Sequence, residues 1–150
     1  MSAAPASAKT ALIVESNALY RDLLHEMLLE LGWTVETAWN GIIGREKARR
    51  HEFDLVLCGL TLPQRDEADT IASIRAQQAR ARIVALPAAM ALADDPRLIA
   101  AYDSGADGVL YKPFGIYDLG KAIDATPQAR ASAGVAPSRV TVPVLEWAYP

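Results

Sequence analysis

Residues 54–63 read DLVLCGLTLP: Asp54, four apolar residues from Leu55 to Cys58, then Gly59 and a loop that reaches Pro63. A run this short, without polar alternation and bounded by turn residues, fits a strand buried on both faces. Such strands belong to parallel sheets sandwiched between helices, where ligands and chemistry meet the carboxyl ends of the strands. The residue at this carboxyl end is Gly59, which brings no side chain.

Outward from this run, short apolar segments alternate with helical patterns. Ala11–Glu15 (ALIVE) reads as a first strand. Asn17 caps a helix to about Leu31, in which Tyr20, Leu24, Met27, Leu28 and Leu31 recur at helical spacing before Gly32 ends it. Thr34–Ala38 is a second strand, and Asn40 with Gly41 opens a helix through Arg50. After the opening stretch, Asp66 caps a helix to about Gln77, and Arg82–Leu86 is a fourth strand. Asp95 and Pro96 form an N-cap and first-turn pair for a helix that Gly105 terminates. Gly108–Tyr111 is a fifth strand, and a last helix covers Ile116–Ala125. This strict alternation predicts a parallel sheet with helices on both faces, and right-handed crossovers leave few topologies for it.

Composition narrows the function classes. The chain has 150 residues, 51% apolar and 22% charged, typical of one folded domain with a real core. A net charge of −3 gives no electrostatic case for nucleic acid or an anionic membrane. No apolar run approaches the ~18 residues of a membrane span, so no membrane insertion is expected. The start, MSAAPASAKT, lacks a secretory pattern, and the single cysteine, Cys58, suits a reducing cytoplasm. Two histidines, His25 and His51, with one cysteine make no zinc site at any usual spacing. Both histidines are expected at the surface, and Cys58 in the interior.

Residues 11–125 resemble the receiver domain of two-component response regulators. Val14, Arg21, Leu24, Leu28 and Gly32 fall at the family's intervals along the first strand and helix, and DLVLCGLTLP matches the third strand and its loop. IVALPA (83–88) matches the fourth strand, and GADGVLYKPF (105–114) the fifth. The resemblance implies a flavodoxin-like (βα)5 sandwich with a five-stranded parallel sheet in the order 2-1-3-4-5. It also implies chemistry. Two acidic residues after the first strand and an acceptor aspartate after the third hold Mg2+, and a lysine after the fifth neutralises the phosphoryl group. A Thr or Ser after the fourth strand hydrogen-bonds that group, and an aromatic on the fifth strand turns inward in response.

Carried over position by position, most of this apparatus is absent. The acidic pair falls on Glu15 and Ser16, the acceptor on Gly59, the hydroxyl position on Pro87 and the switch aromatic on Val109. Lys112, followed by Pro113 and Phe114, keeps the pattern, while the family's Asp-Gly reads Asp66-Glu67. One carboxylate in place of three is too few for a convincing Mg2+ site, so no cofactor, no catalytic residue and no enzymatic activity are expected. The resemblance therefore implies a pseudo-receiver with a degenerate phosphorylation pocket. A buried Lys112 needs a partner, and Glu15 is the carboxylate expected to face it across the strand ends. The resemblance implies a cis bond before Pro113. Ser16, Thr61 and Asp66 are the residues to weigh as displaced acceptors; Ser and Thr would need Glu15 as base, and Asp66 is assigned to its helix cap.

Several features point to surfaces. Leu19, Leu23 and Leu29 widen the apolar arc of the first helix beyond what one sheet face needs, which reads as core plus interface. Arg45, Lys47, Arg49 and Arg50 alternate with Glu46 and Glu52 as a solvated helix face. Arg75, Arg80 and Arg82 are weighed as a site for an anionic ligand, against the plainer reading that three arginines on a helix end and loop usually mean nothing so specific. Residues 1–10 read as a flexible N-terminus and 126–139, rich in Ala, Pro and Ser, as a linker. The tail, 140–150 (VTVPVLEWAYP), is apolar and aromatic and needs somewhere to bury Trp147 and Tyr149, on its own domain or on a partner. The sequence thus predicts a stand-alone, phosphorylation-independent interaction module of bacterial signalling. Its expected partners are a histidine kinase, phosphotransfer protein, regulator or adaptor, with a homodimer as a further option. The competing readings are a small-ligand sensor using the vacated pocket and an active receiver with a displaced acceptor.

Overall fold

Five strands and five helices alternate in the computed structural model, which describes residues 9–62 and 66–124. They are β1 (Thr10–Val14), α1 (Ala18–Glu30), β2 (Thr34–Ala38), α2 (Gly41–Arg50) and β3 (Leu55–Gly59), then α3 (Glu67–Gln77), β4 (Arg82–Leu86), α4 (Pro96–Ser104), β5 (Gly108–Val109) and α5 (Ile116–Asp124). All pairings are parallel and the sheet order is β2-β1-β3-β4-β5, the flavodoxin-like order expected from the sequence.

The sheet is buried on both faces because, after Thr10 of β1 and Arg82 of β4 at the strand starts, its central strands carry only apolar residues and Gly59. Successive residues of a strand point to opposite faces. Leu12, Val14, Val56, Cys58, Ile83, Ala85 and Val109 join one core cluster with Ile71, Ile74, Leu98 and Tyr102 from α3 and α4. Ala11, Ile13, Leu55, Leu57, Val84, Leu86 and Leu110 join the other with Leu24, Leu28 and Leu119 from α1 and α5. In register, Val14 lies opposite Cys58 and Gly59 opposite Leu86, which brings the strand ends to one level. No helix among the described residues is long and apolar enough to cross a membrane.

Local signals set the helix starts. The side chains of Asn17, Asn40 and Asp95 accept hydrogen bonds from the backbone N–H groups of Tyr20, Ile43 and Arg97, closing the first turns of α1, α2 and α4. Asp66 does not act in this way. It precedes α3 without a side-chain cap bond, because its carboxylate is drawn to Arg45 of α2, 3.3 Å away. Arg45 also donates to Thr70 at 3.0 Å, so this member of the basic cluster fastens α2 to α3. Lys47 likewise bonds the Thr37 carbonyl and Glu36, leaving Arg49 and Arg50 paired with Glu46 on the solvated face.

The structure corrects other expectations. Leu31 is 42% exposed; α1 ends at Glu30, and Leu31 follows as its C-cap, past the last core contact of the stripe. β1 begins at Thr10 and stops before Glu15, and the β5 ladder is two residues long, shorter than Gly108–Tyr111. Arg75 and Arg82 are not available as a pair of anion ligands. Arg75 donates to the carbonyls of Ala81 and Gly105 and to Asp107, tying the end of α3 to the turn before β5. Arg82 donates to the Ala122 carbonyl of α5, while Arg80 stays exposed.

Gln78, which the sequence did not single out, does comparable work. Its buried side chain accepts from the Phe53 N–H and donates to the carbonyls of Ala48 and His51. Removing it leaves these backbone groups unpaired in the interior. Gln78→Ala is expected to lower stability by about 2–3 kcal/mol, seen as a lower urea midpoint at unchanged slope.

Candidate functional site

At the carboxyl end of β1 the chain turns into α1 through Glu15, Ser16 and Asn17. The Glu15 N–H stays bonded to the Ala38 carbonyl, so the residue keeps strand direction and its side chain enters the interior, with no exposed surface. One carboxylate oxygen, Oε2, accepts the Asn17 N–H at 2.9 Å. Arg21, one turn into α1, donates to the carbonyls of Glu15 and Ser16 and holds the loop from the other side. The second oxygen, Oε1, lies 3.3 Å from Lys112 Nζ.

Lys112 arrives from β5, followed by a cis bond to Pro113. Its side chain is 4% exposed, and its ammonium stands 4.4 Å from the centroid of the Tyr20 ring. Phe114 packs against that ring at 5.8 Å. The ammonium thus has a carboxylate on one side and an aromatic face on another, two contacts that offset its desolvation. Tyr20 counted only as a core residue in the sequence; its place beneath Lys112 depends on a contact between the first and last βα units.

Gly59 completes this centre. A Cβ built at this position would lie 2.8 Å from Glu15 Oε1 and 3.2 Å from its Cδ. The carboxylate therefore occupies the space into which any side chain at residue 59 would have to start. Close approach, rather than an unusual backbone angle, is what glycine supplies here. Around the rim, the Ser16 hydroxyl donates to the Thr61 carbonyl at 3.1 Å, joining the β1–α1 and β3–α3 loops. Pro87 is buried directly after β4, and Val109 is buried on the α3/α4 side of β5. Two residues on, Tyr111 fills the same face; its hydroxyl is buried without a hydrogen-bond partner, and burial raises its pKa, with Asp95 adding to the effect.

A second carboxylate was not foreseen. Glu67 begins α3 with 5% of its surface exposed, and its Oε2 has no partner. Burial raises its pKa, and the charge of Arg97 on α4 only partly offsets this. The signal available in the sequence was the replacement of the family's Asp-Gly by Asp66-Glu67. Burial, and then Glu67, also push the Cys58 thiol far above its usual range, so it is inert in the core. Both oxygens of Glu15 are engaged, Ser16 is bonded to Thr61, and Gly59 contributes nothing. Among the described residues no group of three His, Cys, Asp or Glu side chains is arranged to hold a metal ion. Leu19 and Leu23 are 73% and 37% exposed, off the core side of α1. Trp147 and Tyr149 lie outside the described residues.

Comparison with known proteins agrees with this architecture. A model of the response regulator receiver domain matches residues 11–124. The chain belongs to the receiver-domain family. The chemotaxis protein CheY of Halobacterium salinarum is 30% identical over 107 residues, 71% of this chain and 87% of that protein. The transcriptional regulatory protein PdtaR of Mycobacterium tuberculosis is 37% identical over 117 residues, which span 77% of this chain but 55% of PdtaR. The response regulator ArlR of Staphylococcus aureus is likewise matched over 48% of its length, so this receiver corresponds to about half of such relatives. Among solved structures, the receiver domain of a sensor histidine kinase from Pseudomonas aeruginosa, with magnesium coordinated in its active-site cleft, superposes with a TM-score of 0.69 at 28% identity. That superposition covers 78% of this chain and 95% of that one. A response regulator from Burkholderia pseudomallei gives 0.72 at 23% identity, covering 85% and 73%, which bears on the fold alone.

Two outcomes follow for this receiver. Lys112→Met leaves the Glu15 carboxylate buried without its cation and is expected to cost about 3–5 kcal/mol, while Glu15→Leu/Lys112→Met recovers most of that loss in a double-mutant cycle. Glu67 sets a pH trend of opposite sign to an ordinary paired carboxylate. Its pKa is higher folded than unfolded, so between the two values the native state holds the extra proton and stability falls as pH rises. Glu67→Gln should therefore be more stable than wild type at pH 7, by about 1 kcal/mol. The difference should shrink as pH falls through the folded-state pKa, as read from melting temperatures across the range.

Proposed function

We propose that this receiver is a pseudo-receiver that signals through its surfaces and not through phosphotransfer. The observation that carries the reading is the Glu15 carboxylate seated against Gly59 and paired with Lys112, where a receiver's acceptor would need room and a free ammonium. The Mg2+ associated with receivers does not suit these donors, since both Glu15 oxygens are engaged and Gly59 offers none. A displaced acceptor has little support from the rim either: the Ser16 hydroxyl donates to the Thr61 carbonyl, and Asp66 is paired with Arg45 through Oδ2. The ligand-sensor reading is weaker, because Glu15 and Lys112 fill the place a small molecule would take.

On this reading the molecule is a cytoplasmic adaptor of two-component signalling, without catalytic activity. It meets a histidine kinase, phosphotransfer protein or regulator through the exposed Leu19 and Leu23 of α1, or pairs with a second copy. Relatives named for chemotaxis and transcriptional regulation support a signalling partner of this kind. Incubation with acetyl phosphate and Mg2+, followed by intact-mass measurement, tests the proposal: an unchanged mass is expected. A species heavier by one phosphoryl group would sink it. Gly59→Asp is expected not to become phosphorylated under the same conditions. The new side chain must displace Glu15, and Pro87 still lacks a hydroxyl.

A further inference from the structure

We propose that residues 140–150 of this chain bind back onto its own receiver, along the outer edge of β5 between α4 and α5. The tail carries Val140, Val142, Val144, Leu145, Trp147 and Tyr149 with one carboxylate, Glu146. Its valines alternate as in a strand, and Pro143, lacking an N–H, can join a sheet only at an edge.

The sheet has two edges, β2 and β5. The β2 edge is blunted by charge, since Glu36 pairs with Lys47 at 3.2 Å. The β5 ladder to β4 is two residues long, and exposed apolar side chains stand on the elements before and after it: Leu92 at 68% ahead of α4, Ile99 at 49% on α4 and Tyr117 at 73% on α5. Trp39 and Ile42 are likewise exposed after β2, so charge and the exit point are what distinguish the two edges. Lys121, whose ammonium lies 5.3 Å from the centre of the Tyr117 ring, supplies a counter-charge for Glu146.

The exit point favours the same edge. Arg82, the first residue of β4, holds the Ala122 carbonyl at 2.8 Å, so the chain leaves α5 beside the strand adjacent to β5. Strands lie about 4.8 Å apart, which puts the β5 edge one spacing away and β2 three. Residues 125–139 can extend to about 50 Å, ample for either edge, and the shorter closure loses less chain entropy. Bound there, the tail adds a strand by edge pairing and seats its aromatics on Ile99 and Tyr117. This inference does not depend on whether residue 59 or its neighbours accept phosphate.

The test compares amide NMR spectra of the full chain and of Trp147→Ala/Tyr149→Ala, whose changes lie outside the described residues. The expected result is that the signals of Leu92, Ile99, Gly108 and Tyr117 shift while those of β1, β3 and α1 stay, at every protein concentration. Ile99→Asp should then shift the tail amides in the same way. Changes confined to the tail would overturn the proposal, as would shifts centred on Leu19, Leu23 or Trp39. Shifts that disappear on dilution would also overturn it, since they would assign the contact to a second copy.

Discussion

A carboxylate with no exposed surface stands at the carboxyl end of β1, and the residues around it are arranged to keep it there. Burying an ionised group is expensive unless its charge is matched and its oxygens are bonded. Glu15 meets both demands with Lys112 from β5 and the Asn17 N–H from its own loop. The ammonium in turn rests over Tyr20. The pair joins residues 97 positions apart, so the first and last βα units are held together through their charges as well as through the sheet between them.

Gly59 makes the arrangement sterically possible. The end of β3 lies between β1 and β4, and a side chain there would enter the volume of the Glu15 carboxylate. As the pair stands, glycine at residue 59 leaves the Glu15 carboxylate room beside it, and a larger residue there would require that side chain to shift. At this strand end the chain holds the Glu15–Lys112 pair, and exposed apolar residues such as Leu19 and Leu23 stand on α1.

Much of the fold was legible because its signals are local. Unbroken apolar runs marked the doubly buried strands, and Asn17, Asn40 and Asp95 marked helix starts that their side chains do cap. The expectations that failed were those in which a distant residue competed for a group. Asp66 has the composition of a cap, yet Arg45 on another helix takes its carboxylate. Arg75 and Arg82, weighed in the sequence as anion ligands and set aside, are engaged by carbonyls from the turn before β5 and from α5. Leu31 keeps helical spacing with the core stripe but follows the end of the helix that would have turned it inward.

The same division runs through the site. The sequence by itself determined the parallel α/β architecture and which residues, Ser16, Gly59, Pro87, Val109 and Lys112 among them, stand where the resemblance expects functional positions. Residue identity and strand periodicity are enough for that. Only the tertiary structure decided that Tyr20 lies under Lys112, that Glu67 is a second buried carboxylate, and that the Glu15 carboxylate takes the space beside Gly59. Those facts are distances between side chains brought together by sheet order. No periodicity along the chain encodes which atoms fill a shared volume once the strands are side by side.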